Sequence, residues 1–206
     1  MKKLVLAVSL LGVFTLVTAF SFIKEKDRSI LTLQPETAPT AVLYKVDDSK
    51  HIPGYGKSFI GFKEAIGFKE SQSRYGVVNS LGYLGKYQFG KSTLETLRIF
   101  NTDYFLNNPF LQEKAFVANC SYNKWLLQNE IAQYADTTIK GIKITESGLI
   151  AAAHLSGAGS VKRYLRSKGR GKRIVDAYGT NIEQYLKKFA DYDISVIKAT
   201  KYPSLK

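Results

Sequence analysis

Two glutamates stand in a near-repeat, IGFKEAIGFKES over residues 60–71, at positions 64 and 70. A carboxyl group can pass a proton to a leaving oxygen and take one back, provided its surroundings tune it. On a helix six residues advance about 600°, so roughly 240° separates Glu64 from Glu70 round the axis. Phe59, Phe62 and Ile66 follow the i, i+3, i+7 spacing of a buried stripe. With Phe59 at zero, Phe62 falls at about 300°, Ile66 at about 340° and Glu70 at about 20°. Glu70 therefore extends the apolar stripe. Glu64, at about 140°, is expected to be a solvated charge beside Lys63, and Phe68, at about 180°, needs another partner. Desolvation at the edge of an apolar face disfavours the charged carboxylate, which is what a general acid requires. The other reading of Glu70 is a helix-end residue that reaches into solvent, and the stripe alone does not choose between them.

Glu70 and Ser71 are followed by QSRYGVVNSLGYLGKYQFG. Gly82, Gly85 and Gln88 stand at steps of three within it. Tyr75, Tyr83, Tyr87 and Phe89 supply flat apolar surfaces, and Asn79, Ser80 and Gln88 supply hydrogen bonds. Sugar rings have apolar faces and hydroxyl edges, so this mixture suits a saccharide groove. The alternative is a tyrosine-rich turn packed on its own core.

Glu70-Ser71 at a helix end, then Gly82, Gly85 and Gln88 as G-x-x-G-x-x-Q, with Thr93 beyond, resembles the catalytic motif of lysozyme-like lytic transglycosylases. Residues 152–161, AAHLSGAGSV, resemble the A-A-Y-N-A-G-x-G-x-V segment of the same family, with His154 in place of Tyr and Leu155 in place of Asn. The two matches come in the family's order and frame about residues 57–167. The resemblance implies a mainly α, lysozyme-like domain with a substrate cleft and little β structure. It implies peptidoglycan glycan strands as the partner and Glu70 as the catalytic acid and base. The candidate substrate contacts are Ser71, Tyr75, Asn79, Tyr87, Gln88 and His154. Ser71 either touches substrate or caps its helix. Gln88 either orients the glutamate or contacts sugar. For His154, packing and substrate contact stand about even.

Most glycosidases pair two carboxylates across the scissile bond. No Asp or Glu lies between Glu70 and Glu95, which favours a mechanism with one carboxylate. In the family that this chain resembles, a lone Glu protonates the glycosidic oxygen of the MurNAc-GlcNAc β-1,4 bond. It then acts as base on the sugar's own 6-hydroxyl, and proximity lowers the barrier. The product is a 1,6-anhydro-muramyl end. The alternatives are a lysozyme-type hydrolase, with a distant acid such as Asp103 folded into the cleft, and a non-catalytic cell-wall-binding module.

The elements that must position these residues read as helices. Ser92-Thr93-Leu94-Glu95 is a capping-box pattern that predicts a helix over 93–100. Asn108 before Pro109 predicts an N-cap with Pro at the first helical position, and an amphipathic run continues to about Ala135. Residues 136–144 read as a loop with a short extended piece. Thr145 caps a helix over 146–154, Gly157-Ala158-Gly159 breaks it, and a further helix covers 160–167. Residues 168–173, KGRGKR, form a basic loop that either holds anionic wall groups or is an exposed turn. Asn181 caps a last helix over 182–190. Trp125, Leu126 and Leu127 read as core. Tyr178, Tyr185 and Tyr192 are spaced by seven, which favours helix packing.

The chain has 206 residues, 45% of them hydrophobic, enough for one domain with a sizeable core. Its formal charge of +13 favours an anionic partner. Met1-Lys2-Lys3 precedes an uncharged run, residues 4–23, with small residues at Ala19 and Ser21. This predicts an export signal over 1–21. The run is also long enough for a membrane anchor, so membrane association through this segment is the close alternative. Residues 22–56 read as a tether, 57–193 as the catalytic domain and 194–206 as a tail. Export places the chain in the periplasm or cell envelope and argues against a nucleic-acid partner. Cys120 is the one cysteine, so no internal disulfide can form, and it reads as a core residue. With only His51 and His154 beside it, neither a metal nor another cofactor is expected.

Overall fold

Local capping chemistry starts most of the helices. The structure is a computed structural model describing residues 55–171 and 179–205, all within one compact unit, Ser49–Lys206. The predicted signal, most of the tether, and Lys172, Arg173 and Tyr178 lie outside the described residues. Helix α1 (Phe59–Ser71) begins where Ser58 Oγ accepts the Gly61 N–H at 3.2 Å. The short α2 (Lys91–Thr96) and α3 (Thr102–Leu106) follow. Asn108 caps α4 (Pro109–Leu126) by accepting the Leu111 N–H, with Pro109 in the first turn as expected. Then come α5 (Gln128–Tyr134) and a two-stranded antiparallel ribbon, β1 (Thr138–Ile139) with β2 (Ile142–Lys143). Thr145 Oγ1 accepts the Gly148 N–H to open α6 (Glu146–Ser156), and α7 (Ala158–Arg166) follows. Asn181 and Gln184 form a reciprocal capping box at the start of α8 (Ile182–Lys188). The described chain is mainly helical.

Two expectations differ. The capping box at Ser92 does not form: α2 starts at Lys91 from a Gly90 cap that has no side-chain bond, and ends at Thr96. A cap contributes about 1 kcal/mol, whereas burying a large apolar side chain contributes about 1.5–3 kcal/mol. Phe89 and Leu94 are both buried, and their placement sets where the helix begins. The run from Pro109 towards Ala135 is two helices, broken at the fully buried Leu127.

The core is assembled around α6, whose run from Ser147 to Ala153 is buried throughout. It packs on α4, α7 and α8. The stripe of α1 enters this core: Phe62 and Ile66 are fully buried. Phe62 meets Phe116 at 6.2 Å, Phe189 at 6.3 Å and Tyr192 at 5.6 Å between ring centroids. Phe68 is exposed, so the partner it was expected to need is solvent. Cys120 is buried as predicted, and burial pushes its thiol pKa up. The last segment is fastened to the domain. Ile194 and Ile197 are buried, Thr200 N–H donates to the Ser121 carbonyl at 3.1 Å, and Ser121 Oγ donates to the Lys198 carbonyl. Among the described residues no helix is long and apolar enough to cross a membrane.

Candidate active site

The glycine-rich loop folds back on itself through two isolated antiparallel bridges, Val78 with Leu84 and Leu84 with Phe89. Gly85 makes this possible. Its φ is 74°, and a Cβ there would lie 2.1 Å from Gln112 Oε1. Gln112, fully buried on α4, clamps the loop. Its Oε1 accepts the Lys86 N–H at 2.8 Å, and its Nε2 faces the carbonyls of Tyr75, Phe105 and Leu106 at 3.1, 3.2 and 3.1 Å. From the other side, Ser71 Oγ donates to the Lys86 carbonyl at 2.8 Å and accepts the Arg74 N–H at 3.0 Å. Ser71 is thus a buried tie between α1 and the loop, and it does not line the cleft.

Two more expected sugar contacts are engaged elsewhere. Tyr87 is fully buried, stacked on Phe116 at 4.1 Å, with its hydroxyl 2.9 Å from both oxygens of Glu113. The Tyr75 hydroxyl donates to Glu113 Oε1 at 2.7 Å. Neither residue lines the cleft. Both join an ionic cluster that was not foreseen. Lys86 Nζ, on a side chain only 3% exposed, donates to Glu64 Oε1 and Glu113 Oε1, each at 2.8 Å, and to the Tyr75 hydroxyl at 3.3 Å. Lys63 bridges the same two glutamates. Glu64 is therefore not the solvated charge predicted for it: it is a half-buried partner of Lys86. Gly67 lets this happen, since a Cβ there would lie 2.7 Å from the Lys86 stem.

The cluster fixes its own charge states. Burial pushes the Glu113 carboxyl up, but hydrogen bonds from Lys63, Lys86, Tyr75 and Tyr87 outweigh it and hold the pKa at about 2. Burial pulls the Lys86 ammonium down, yet its bonds to Glu113 and Glu64 carry it above the usual lysine value. Burial and the nearby Glu113 charge raise the Tyr87 phenol far above its ordinary range.

The cleft itself encloses about 650 Å³, and Glu70, Asn79, Gln88, Asn119, Tyr122 and His154 are among the residues that line it. Asn79 shapes its own turn: Oδ1 accepts the Leu81 and Tyr83 N–H groups at 2.9 and 3.0 Å. Gln88, at φ 49°, donates from Nε2 to the Gly85 carbonyl at 2.9 Å. His154 Nε2 lies 2.8 Å from the Tyr87 carbonyl, and Nδ1 lies 3.1 Å from Asn119 Nδ2. A carbonyl only accepts, so Nε2 carries the proton and Nδ1 accepts from Asn119. Asn123 Nδ2 in turn donates to Asn119 Oδ1 at 3.2 Å, which orients the amide.

Glu70 is half-buried at the cleft wall, and its Oε1 accepts the Tyr185 hydroxyl at 2.5 Å. Tyr185, buried on α8, is the site residue that sequence reasoning missed. Its seven-residue spacing from Tyr178 and Tyr192 marked it for packing, and nothing local links it to a residue 115 positions away. Among the described residues Glu70 is the sole carboxylate lining the cleft. Asp103 is exposed in the first turn of α3 and does not line it. Comparison of the chain with protein-family models, curated proteins and solved structures returns no match.

Proposed function

We propose that this chain is an exported, lysozyme-like lytic transglycosylase that cleaves the MurNAc-GlcNAc β-1,4 bond of peptidoglycan with Glu70 as its single acid and base. The observation that carries the reading is the lone carboxylate: among the described residues that line the cleft, Glu70 is the one carboxyl group. The Tyr185 hydroxyl binds Oε1 and leaves Oε2 to face the glycosidic oxygen. Glu70 passes its proton to that oxygen as the C1–O bond breaks, and the GlcNAc unit leaves as an alcohol. The carboxylate then takes the proton of the 6-hydroxyl as its oxygen bonds to C1. No water is consumed, and Glu70 ends protonated as it began. The attack is intramolecular, so the nucleophile needs no second carboxylate to activate it.

Asn79 and Gln88 present amide edges to the saccharide, and exposed Leu81 and Tyr83 at the rim offer apolar surface to its ring faces. His154 holds the wall through Tyr87 and Asn119 and is not needed as a proton carrier. Hydrolysis of the same bond by a second carboxylate needs that group as a base to activate water, and exposed Asp103 does not supply one in this cleft. The test is digestion of purified wall by the intact protein and its Glu70→Gln variant, with mass analysis of the fragments. Anhydro ends that vanish with Glu70→Gln are expected. Reducing ends would assign hydrolysis, and intact wall with bound protein would assign a binding module.

A further inference from the structure

A pair of stacked rings starts in the cleft and leaves its lining. Tyr122 lines the cleft from α4, and one turn further along the same helix lies Trp125. Their rings are nearly parallel, 19° apart in plane, with centroids 6.0 Å apart. Trp125, expected as core, is half-buried. The C-terminal segment comes back across α4 at this place, tied by the two Ser121 hydrogen bonds. It sets Lys201 Nζ 5.4 Å from the Trp125 ring centre and 5.2 Å from that of Tyr202. Tyr202 is 74% exposed, and no carboxylate among the described residues pairs with Lys201.

We infer that Trp125, Lys201 and Tyr202 form a distal glycan subsite beyond the Tyr122 end of the cleft, which takes a carboxylate-bearing N-acetylhexosamine unit of the strand. Aromatic faces bind the C–H faces of a sugar and leave its hydroxyls and substituents in water. Lys201 adds a cation on the same platform, free to turn from the indole to an acidic substituent. The continuity with the cleft through Tyr122 selects the occupant: a polymer threaded past Glu70 runs on to Trp125. The inference rests on the proposed glycan cleavage, because the unit bound here is a further unit of the strand being cut.

Trp125 is the chain's only tryptophan, so its fluorescence reports this place and no other. The full chain with Glu70→Gln, which binds without cutting, is titrated with peptide-free glycan strands whose lactyl carboxylates are free. The controls are chitin oligomers of equal length and the disaccharide unit. A saturable emission change is expected with long strands and none with the disaccharide. Lys201→Met should weaken the charged strands about two- to fivefold, the range of an exposed ion pair, and leave the neutral oligomers unchanged. Trp125→Phe, followed by calorimetry, should keep most of the affinity, whereas Trp125→Ala loses about tenfold. Strands that bind calorimetrically while Trp125 stays silent overturn the subsite, as does an equal effect of Lys201→Met on charged and neutral strands. If the wild-type protein still releases Glu70-dependent fragments in either case, the proposed function stands alone. If it neither binds nor cuts, both fall.

Discussion

Replacing Lys86 with methionine removes one ammonium from a charge-balanced cluster of two lysines and two glutamates. The side chain is 3% exposed and makes two ionic hydrogen bonds of 2.8 Å and one of 3.3 Å to Tyr75. Removing one partner of a buried pair costs about 3–5 kcal/mol. Glu64 and Glu113 keep 22% and 23% of their side-chain surface exposed and retain Lys63, so water and that lysine relieve part of the loss. The lower end, about 3 kcal/mol, is expected. Against a total stability of about 5–15 kcal/mol the domain still folds. Its Tm should fall by about 6–12 °C, at about 2–4 °C per kcal/mol for a chain of this size. The pH dependence gives a second handle. Glu113 titrates at about 2 when folded, against an ordinary value of 4.5. The unfolded chain thus binds the proton first on acidification, and the stabilisation present above about 4.5 drains away towards about 2. Lys86→Met should flatten that decline, because one of the cations that hold Glu113 down is gone. Thermal and urea unfolding from pH 7 to pH 2 on both proteins measures both effects. An unchanged Tm, or an acid limb identical to wild type, would refute the claim that this cluster stabilises the folded domain by holding Glu113 ionised.

Three further outcomes follow from the site. Tyr185→Phe removes the hydroxyl bound to Glu70 and should lower kcat about tenfold or more with KM within about twofold, since positioning acts on the chemical step; a rise in KM alone would count against it. Gly85→Ala forces a side chain into a left-handed backbone position and into Gln112, and should cost at least about 2 kcal/mol, read by urea unfolding. Glu64→Gln weakens the Lys86 pair and should lower Tm by a few degrees, about 1–2 kcal/mol, while leaving the fragment pattern unchanged by mass analysis.

What was legible in the sequence was short-range. Asn108, Thr145 and Asn181 cap their helices because a cap needs only its own neighbours three residues on. The Phe62–Ile66 stripe with Glu70 beyond it follows from helical geometry alone, and Glu70 does reach the cleft. The failures are long-range. Tyr87 reads as a loop aromatic until Phe116 and Glu113 arrive from α4 to cover it. Glu64 reads as solvated until Lys86, 22 residues later, is threaded back across Gly67. Ser71 reads as either a substrate contact or a helix-end cap; it bonds the Arg74 N–H at the helix end, and the tie to the Lys86 carbonyl appears only once the loop is folded against it. In each case a buried or half-buried hydrogen bond to a distant partner, not local propensity, decided where the side chain went. Asn79, Gln88 and His154 remain at the cleft, but all three are engaged in shaping it.

The central claim is that one carboxylate, Glu70, does the proton work without a water-activating partner. The most direct measurement is the mass of the glycan ends released from purified peptidoglycan by wild type, Glu70→Gln and Glu64→Gln, each at a temperature where it is folded. The account predicts 1,6-anhydro ends from wild type and Glu64→Gln, and a rate lower by about 10²-fold or more for Glu70→Gln, the scale of a lost general acid. Reducing ends from wild type, or equal losses from the two substitutions, would contradict it.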